Sequence, residues 1–319
     1  MKKIPFFLLT PTLAMPLVAI SCVNKDAKYY DELQLNSTFS VEKENIDKVG
    51  NIFDQKVDIT RIKNLETREE ETVNISLWEV YSAIDAEIVK IYDGDTMLVR
   101  VLEKNERTTA FNVGDEIKIR IALIDTLEQN VRDVTEREKK LAHLDSEYVE
   151  SILPANTRVR IISENWSDGS YDRKIGYLFF GENYEQNFSI NMLANGWTLP
   201  RINNNELKNF ITDYEKIKKS SIKSYLLPYI ARAFNHGYTK QRGFYAKDGV
   251  NVVLNGTSQN IKFYTPMDLA KEYIAHGSSL MSDAYQFLYP FNIEKNNAKK
   301  FNNAQNNIYE FLDKVNNKK

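Results

Sequence analysis

Two short acidic strings lie at the ends of two alternating apolar runs, and an arginine stands inside the second run. The first string, Asp93-Gly94-Asp95-Thr96, follows Ala86-Glu87-Ile88-Val89-Lys90-Ile91-Tyr92. The second, Ile124-Asp125-Thr126-Leu127-Glu128, ends the run from Glu116 to Leu123 that carries Arg120. The alternation predicts strands, each delivering its carboxylates at a strand end where neighbouring strands can bring them together. Three carboxylates with an arginine on the same strand can hold a hard divalent cation, a water and a phosphate at once. Phosphodiester hydrolysis asks for that combination: an attacking water, a base to deprotonate it, and positive charge where negative charge develops.

The elements that would position these residues can be read from the same patterning. Strands are expected at about 86–92, 95–102, 116–124, 157–163 and 174–180. A helix at about 138–153 has Leu141, Leu144, Tyr148 and Ile152 as its apolar positions, and Pro154 closes it. Five strands with a helix between the third and fourth describe a five-stranded OB-fold barrel with C-terminal helices. Those helices are expected at about 187–195 and 205–240, the second broken at Pro228, then at about 266–288 and 295–315.

The motifs resemble the staphylococcal-nuclease-like (thermonuclease) family. Its pattern is a DGDT string, an arginine-bearing strand ending in D-T-P-E, a Y-G-R string, and a helix with a glycine turn written V-N-x-x-L-V-x-x-G-L. Here these stand as Asp93-Gly94-Asp95-Thr96, then Arg120 with Asp125-Thr126-Leu127-Glu128, then Tyr171-Asp172-Arg173, then Ile190-Asn191-Met192-Leu193-Ala194-Asn195-Gly196-Trp197. The likeness runs from about Ala83 to Asp248, with Gly243-Phe244-Tyr245 resembling the family's closing aromatic. It implies Ca²⁺ held by Asp95, Asp125 and the Thr126 carbonyl. Glu128 is implied as general base, with Arg120 and Arg173 on the phosphate. DNA and RNA are the implied substrates, cut at the 5′-oxygen-to-phosphorus bond to leave 3′-phosphates. Two residues depart from the pattern: Leu127 stands where the family has proline, and Asp172 where it has glycine. The family's two phosphate-gripping tyrosines would fall near Ile202 and Asn204, so that contact does not carry over.

Residue chemistry alone leaves simpler roles open. Asp93-Gly94 is a strong hairpin signal, and Asp93 is expected mainly as a turn residue or as a support behind the site. Asp125 could cap the next segment, Glu128 could be solvated, and Arg120 could be a surface strand residue. The conjunction in family order favours a site. The three histidines, His143, His236 and His276, lack metal-ligand spacing, so no zinc site is expected. Two non-enzymatic alternatives stand beside the nuclease: a lipoprotein that captures nucleic acid on the barrel without cutting it, and a calcium-binding adhesin. The first does not need the clustered carboxylates, and the second has no use for the arginines.

With 319 residues and a formal net charge of −2, the chain has no global basic field. Residues 201–250 nevertheless hold ten basic and four acidic residues, a local +6 suited to a polyanion or to a solvated helix face. Residues 1–22 read as an export signal, with Lys2 and Lys3 before an apolar, proline-interrupted stretch ending Leu17-Val18-Ala19-Ile20-Ser21-Cys22. Cys22 is the only cysteine, and that ending resembles a bacterial lipobox, which implies lipid on Cys22 and a membrane partner. Residues 23–82 read as a polar spacer, with a short strand at Val73–Leu77. Residues 83–248 form the compact unit, and 249–319 a helical extension whose aromatics, Tyr285 to Phe291, suit packing better than base stacking. Composition and lipobox resemble mollicute lipoproteins. The reading is a surface-anchored, calcium-dependent nuclease.

Overall fold

Alternating burial builds the centre of the molecule. In the computed structural model, which describes residues 32–33 and 46–274 except 65, 131–133, 171 and 203–220, strand β4 (Ser82–Asp93) runs antiparallel to β5 (Thr96–Lys104), and β5 to β6 (Glu116–Ile121). Strand β8 (Arg158–Ser163) pairs with the other edge of β4. Strand β10 (Arg173–Phe180) pairs in parallel with β6 and antiparallel with β8, so the hydrogen-bonded path returns towards its start. The sheet is therefore largely antiparallel and partly closed. Its interior holds Ile84, Ala86, Ile88, Met97, Val99, Ile119, Ile121, Ile161 and Leu178, all fully or almost fully buried.

Helices cover this sheet where the sequence caps them. Helix α2 (Glu136–Ile152) starts at Thr135, whose side chain accepts from the Glu138 N–H. Helix α3 (Phe188–Ala194) starts at Asn187, which accepts from Ile190 N–H at 3.1 Å. Helix α4 (Ile222–Thr239) starts at Ser221 and continues through Pro228, correcting the expected break. Most of α4, Pro228 included, is buried, and tertiary packing of this kind sustains a helix that proline would otherwise interrupt. The earlier part of the expected 205–240 helix lies outside the described residues.

The polar-spacer reading fails from Ile46 onwards. Residues Ile46–Asp54 form 3₁₀ turns, β2 (Lys56–Asn64) and β3 (Glu69–Ser76) form a hairpin, and α1 (Leu77–Val80) leads into β4. Polar side chains occupy one face of this segment, while Val49, Phe53, Val57, Ile59, Leu77 and Trp78 enter the core. Phe53 packs on Trp78, Phe179 and Tyr225 with ring centroids 4.9, 5.2 and 5.7 Å away. The start of the C-terminal extension is also different from the expectation. A hairpin of β13 (Val250–Leu254) and β14 (Thr257–Ile261) precedes a short helix α5 (Pro266–Ala270). Arg137 of α2 ties this segment down through a forked pair with Glu272 at 2.8 and 2.9 Å. The export signal, Cys22, Asn204 and the later helices lie outside the described residues. Among the described residues, no helix is long and apolar enough to cross a membrane.

Candidate active site

The two acidic strings meet because β4, β5 and β6 are consecutive antiparallel strands. Asp93 and Thr96 face each other across the β4–β5 turn, and Asp93 Oδ1 accepts from Asp95 N–H at 3.2 Å. Asp93 is thus a turn residue, as expected. Thr96 pairs with Arg120 on β6, and Arg120 pairs with Ile175 on β10. At the end of β6, Leu123 takes a left-handed φ of +73°, which separates β6 from β7 (Ile124–Asp125). Strand β12 (Leu199–Pro200) pairs with β7 on its other side, and Thr198 Oγ1 donates to the Asp125 carbonyl at 2.7 Å.

Arg120 bridges the two strings. Its Nη2 lies 2.9 Å from Asp95 Oδ2 and also donates to Asp125 Oδ1. Both carboxylates are buried, at 2% and 0% side-chain exposure. Thr126 N–H donates to Asp95 Oδ2 at 3.2 Å, tying the second string directly to the first. Thr96 Oγ1 donates to Asp95 Oδ1 at 3.0 Å and receives Arg173 Nη1 at 3.2 Å. Arg173, the first residue of β10, therefore arrives beside Arg120. Glu128 is half-buried and close enough to act electrostatically on Asp93 and Arg120. The expected residues Asp95, Arg120, Asp125, Thr126, Glu128 and Arg173 are thus gathered in one region, while Cys22 lies outside the described residues.

Three participants were not foreseen. Arg201, directly after β12, donates to Asp125 Oδ2 from a half-exposed position. Its local sequence signal was only membership of the basic stretch. Asp145 on α2 is fully buried, and among the described residues its Oδ2 has no hydrogen-bond partner. It does carry a signal, because it shares the helical stripe of Leu141, Ala142 and Val149, where an apolar residue is the default. Tyr273, past α5, is buried near Asp145 and Asp125.

Burial dominates the electrostatics. It pushes the Asp95 carboxyl well above the usual carboxylate range; Arg120 opposes that shift, while Asp93 and Asp125 add to it. Burial likewise raises Asp145 well above the range, with Asp95 and Asp93 reinforcing it. Burial raises Asp93 too, and Glu128 contributes. For Arg120, burial disfavours the charge, but Asp95, Asp125, Glu128 and Asp93 outweigh it and hold the guanidinium protonated. Crowded, desolvated carboxylates of this kind favour the arrival of a proton or a cation.

Calcium fits the donor chemistry. The available side-chain donors are hard carboxylate oxygens, including the partnerless Asp145 Oδ2 beside Asp95, and no described Cys or His joins them. Among the described residues, no three acidic, His or Cys side chains are already arranged around one point. Asp95 and Asp125 converge on Arg120 instead. No protein-family model matches the chain, and no curated protein is similar enough to count as a relative.

Proposed function

We propose that the protein is a calcium-dependent nuclease, with an OB-type barrel positioning the site at the ends of β4 and β6. The carrying observation is the convergence of Asp95, Asp125, Arg120 and Arg173, with Glu128 at the margin. The order of the pairings, including the parallel pair of β6 with β10, supports the OB reading.

In this reading Glu128 takes the proton from a water molecule, whose oxygen attacks phosphorus. The bond from phosphorus to the 5′-oxygen breaks, the leaving oxygen takes a proton from solvent water, and a 3′-phosphate end remains. Arg120 and Arg173 offer N–H donors to the phosphate oxygens as negative charge builds, where fixed donors are most effective. Asp95, Asp125 and the Thr126 carbonyl would hold Ca²⁺, which when bound supplies Lewis-acid stabilisation of a phosphate oxygen. DNA and RNA are the substrate class, and the basic stretch 201–250 would add salt-dependent attraction for them. The protein would act at the cell membrane, facing the extracellular side and held by lipid on Cys22.

The deciding experiment incubates purified chain with duplex DNA and with RNA, in calcium and then in excess chelator. Cleavage with calcium alone supports the reading. Full activity in chelator removes the cation site, and binding without cleavage under all conditions moves the protein to the capture alternative.

A further inference from the structure

Tyr92 immediately precedes the first acidic string, and its ring is exposed. The ladder itself turns it outwards. Ile91 pairs with Met97 and Asp93 with Thr96, so Tyr92 is the extra residue of a bulge between them. Bulges re-aim a side chain in this way. Two ammonium groups lie over the ring, Lys90 Nζ and Lys118 Nζ, each 5.0 Å from its centre. They come from different strands, because half-buried Leu98 on β5 pairs with Lys90 on β4 and with Lys118 on β6.

This patch is continuous with the arginine side of the candidate active site. Ile119 and Ile121 point into the barrel and are buried, so Lys118 and Arg120 share the outer face of β6. Two residues of strand rise separate them, about 6.8 Å, which is about the step of one nucleotide in a stretched strand. Arg173 stands beside Lys118, one residue before the Lys174–Ile119 pair.

We propose that Tyr92, Lys90 and Lys118 form a nucleotide subsite beside the scissile position. One unpaired base of the substrate stacks on the Tyr92 ring, and the two lysines meet the phosphates that flank it. An exposed aromatic ring forgoes the gain of burial, and cation–π contact recovers only part of it. A stacked base covers the ring, and its backbone supplies the negative charge that the ammonium groups lack. Lys118 is tied to Asp172 at 2.9 Å, whereas Lys90 is exposed. Lys90 is therefore the ammonium that swings from ring to phosphate when a base takes the face it covers. A base already paired and stacked in a closed duplex cannot reach the ring, so the patch acts on binding of open strands and not on the chemical step.

The subsite deepens the nuclease reading, which its kinetic arm alone requires. Fluorescence anisotropy of a labelled oligothymidylate, in chelator, compares wild type with Tyr92→Ala, Tyr92→Phe and the double variant Lys90→Ala/Lys118→Ala. Tyr92→Ala should bind about 5–100-fold more weakly, the range for loss of one stacked base, with an unchanged salt slope. Tyr92→Phe keeps a ring and should recover most of that loss. The double lysine variant should flatten the slope of log K against log salt by about 1.4, about 0.7 for each phosphate contact on a single strand. On a blunt duplex Tyr92→Ala should cost less than about twofold. With calcium, the Tyr92→Ala loss on single-stranded DNA should appear in KM and not in kcat. Wild-type affinity in Tyr92→Ala would overturn the subsite. So would an equal loss in Tyr92→Phe, an equal loss on duplex, an unchanged slope in the lysine variant, a loss confined to kcat, or no binding of oligothymidylate by wild type. If the wild-type chain binds but cuts no nucleic acid, the nuclease reading falls, and the anisotropy comparison still decides the subsite.

Discussion

Arg160 and Arg120 are both part-buried arginines set against aspartates, yet Asp85 is part-buried where Asp95 and Asp125 are buried, and the balance of charge differs. Arg160 on β8 faces Asp85 on β4 and holds both carboxylate oxygens at 2.6 and 2.8 Å. Its guanidinium lies 5.2 Å from the Trp78 ring and 4.3 Å from the Tyr184 ring, and Tyr184 OH donates to Asp85 at 3.1 Å. One cation meets one anion in a forked, stacked arrangement, and every strong group has its partner. Around Arg120 the ratio is different. Asp93, Asp95, Asp125, Asp145 and Glu128 surround the region of Arg120, Arg173 and Arg201, five acids to three arginines. A structural ion pair has no need of such a surplus. Burial raises Asp93, Asp95 and Asp145, so this cluster favours uptake of a proton or a cation, whereas the Arg160–Asp85 pair is satisfied as it stands.

The sharpest break of that comparison is at Glu128. Glu128→Gln keeps the shape and removes the base, so turnover should fall by about 10²–10⁴-fold while the thermal midpoint stays near wild type. Steady-state kinetics at saturating calcium checks it, and wild-type turnover would return Glu128 to a solvated surface role. Next come the arginines. Arg120→Lys keeps the charge but loses the planar guanidinium whose Nη2 meets both Asp95 and Asp125, and should cost about 10²-fold in single-turnover cleavage. Arg173, which donates to Thr96 from the first residue of β10 and not from within a strand, should suffer less on the same change, by about tenfold. A larger loss at Arg173 than at Arg120 would reverse the assigned order.

Stability should move in opposite directions in the two clusters. Asp85→Asn removes the charge that Arg160 grips and should lower stability by about 1–3 kcal/mol. Asp95→Asn relieves crowding among buried carboxylates and should raise stability by about 0.5–2 kcal/mol in chelator while abolishing cleavage. Denaturant melts of the two variants test this, and a destabilised Asp95→Asn would make the site an ordinary ion-pair network.

Much of this was legible where the physics is local. Strands β4, β5, β6, β8 and β10 follow from alternation, and α2 and α3 from periodicity and capping residues, because both signals live within a few residues. The site strings were legible since each ends a strand. The hairpin of β2 and β3 was not, because its charged face masks a short apolar one, with Val57 and Ile59 isolated among polar neighbours. Arg201 was invisible because only the long-range pairing of β12 with β7 brings it to Asp125. Asp145 could have been suspected from its place on a core stripe, but what it approaches, the turn at Gly94, lies on another element.

The smallest expected effect concerns Asp172, where the resemblance leads one to expect glycine. Asp172 does not reach into the acidic cluster. It is largely exposed and pairs with Lys118 at 2.9 Å, which holds the acid below the usual carboxylate range. Lys118 Nζ in turn lies 5.0 Å from the Tyr92 ring, one residue before the first acidic string. An exposed pair of this kind contributes little to folding, because solvent and salt screen it. Its effect on catalysis is therefore electrostatic and local: the acid lowers the positive potential that Lys118 and Arg173 present to an approaching phosphate. Asp172→Gly removes that charge, so kcat should stay unchanged while kcat/KM rises by about two- to threefold at low salt. The gain should fade as ionic strength approaches about 0.15 M and the screening length shortens to about 8 Å. Cleavage of a short duplex across a salt series measures both. A loss of activity in Asp172→Gly at every salt concentration would mean that the acid holds the turn before Arg173, and that the two arginines are positioned by equally exacting supports.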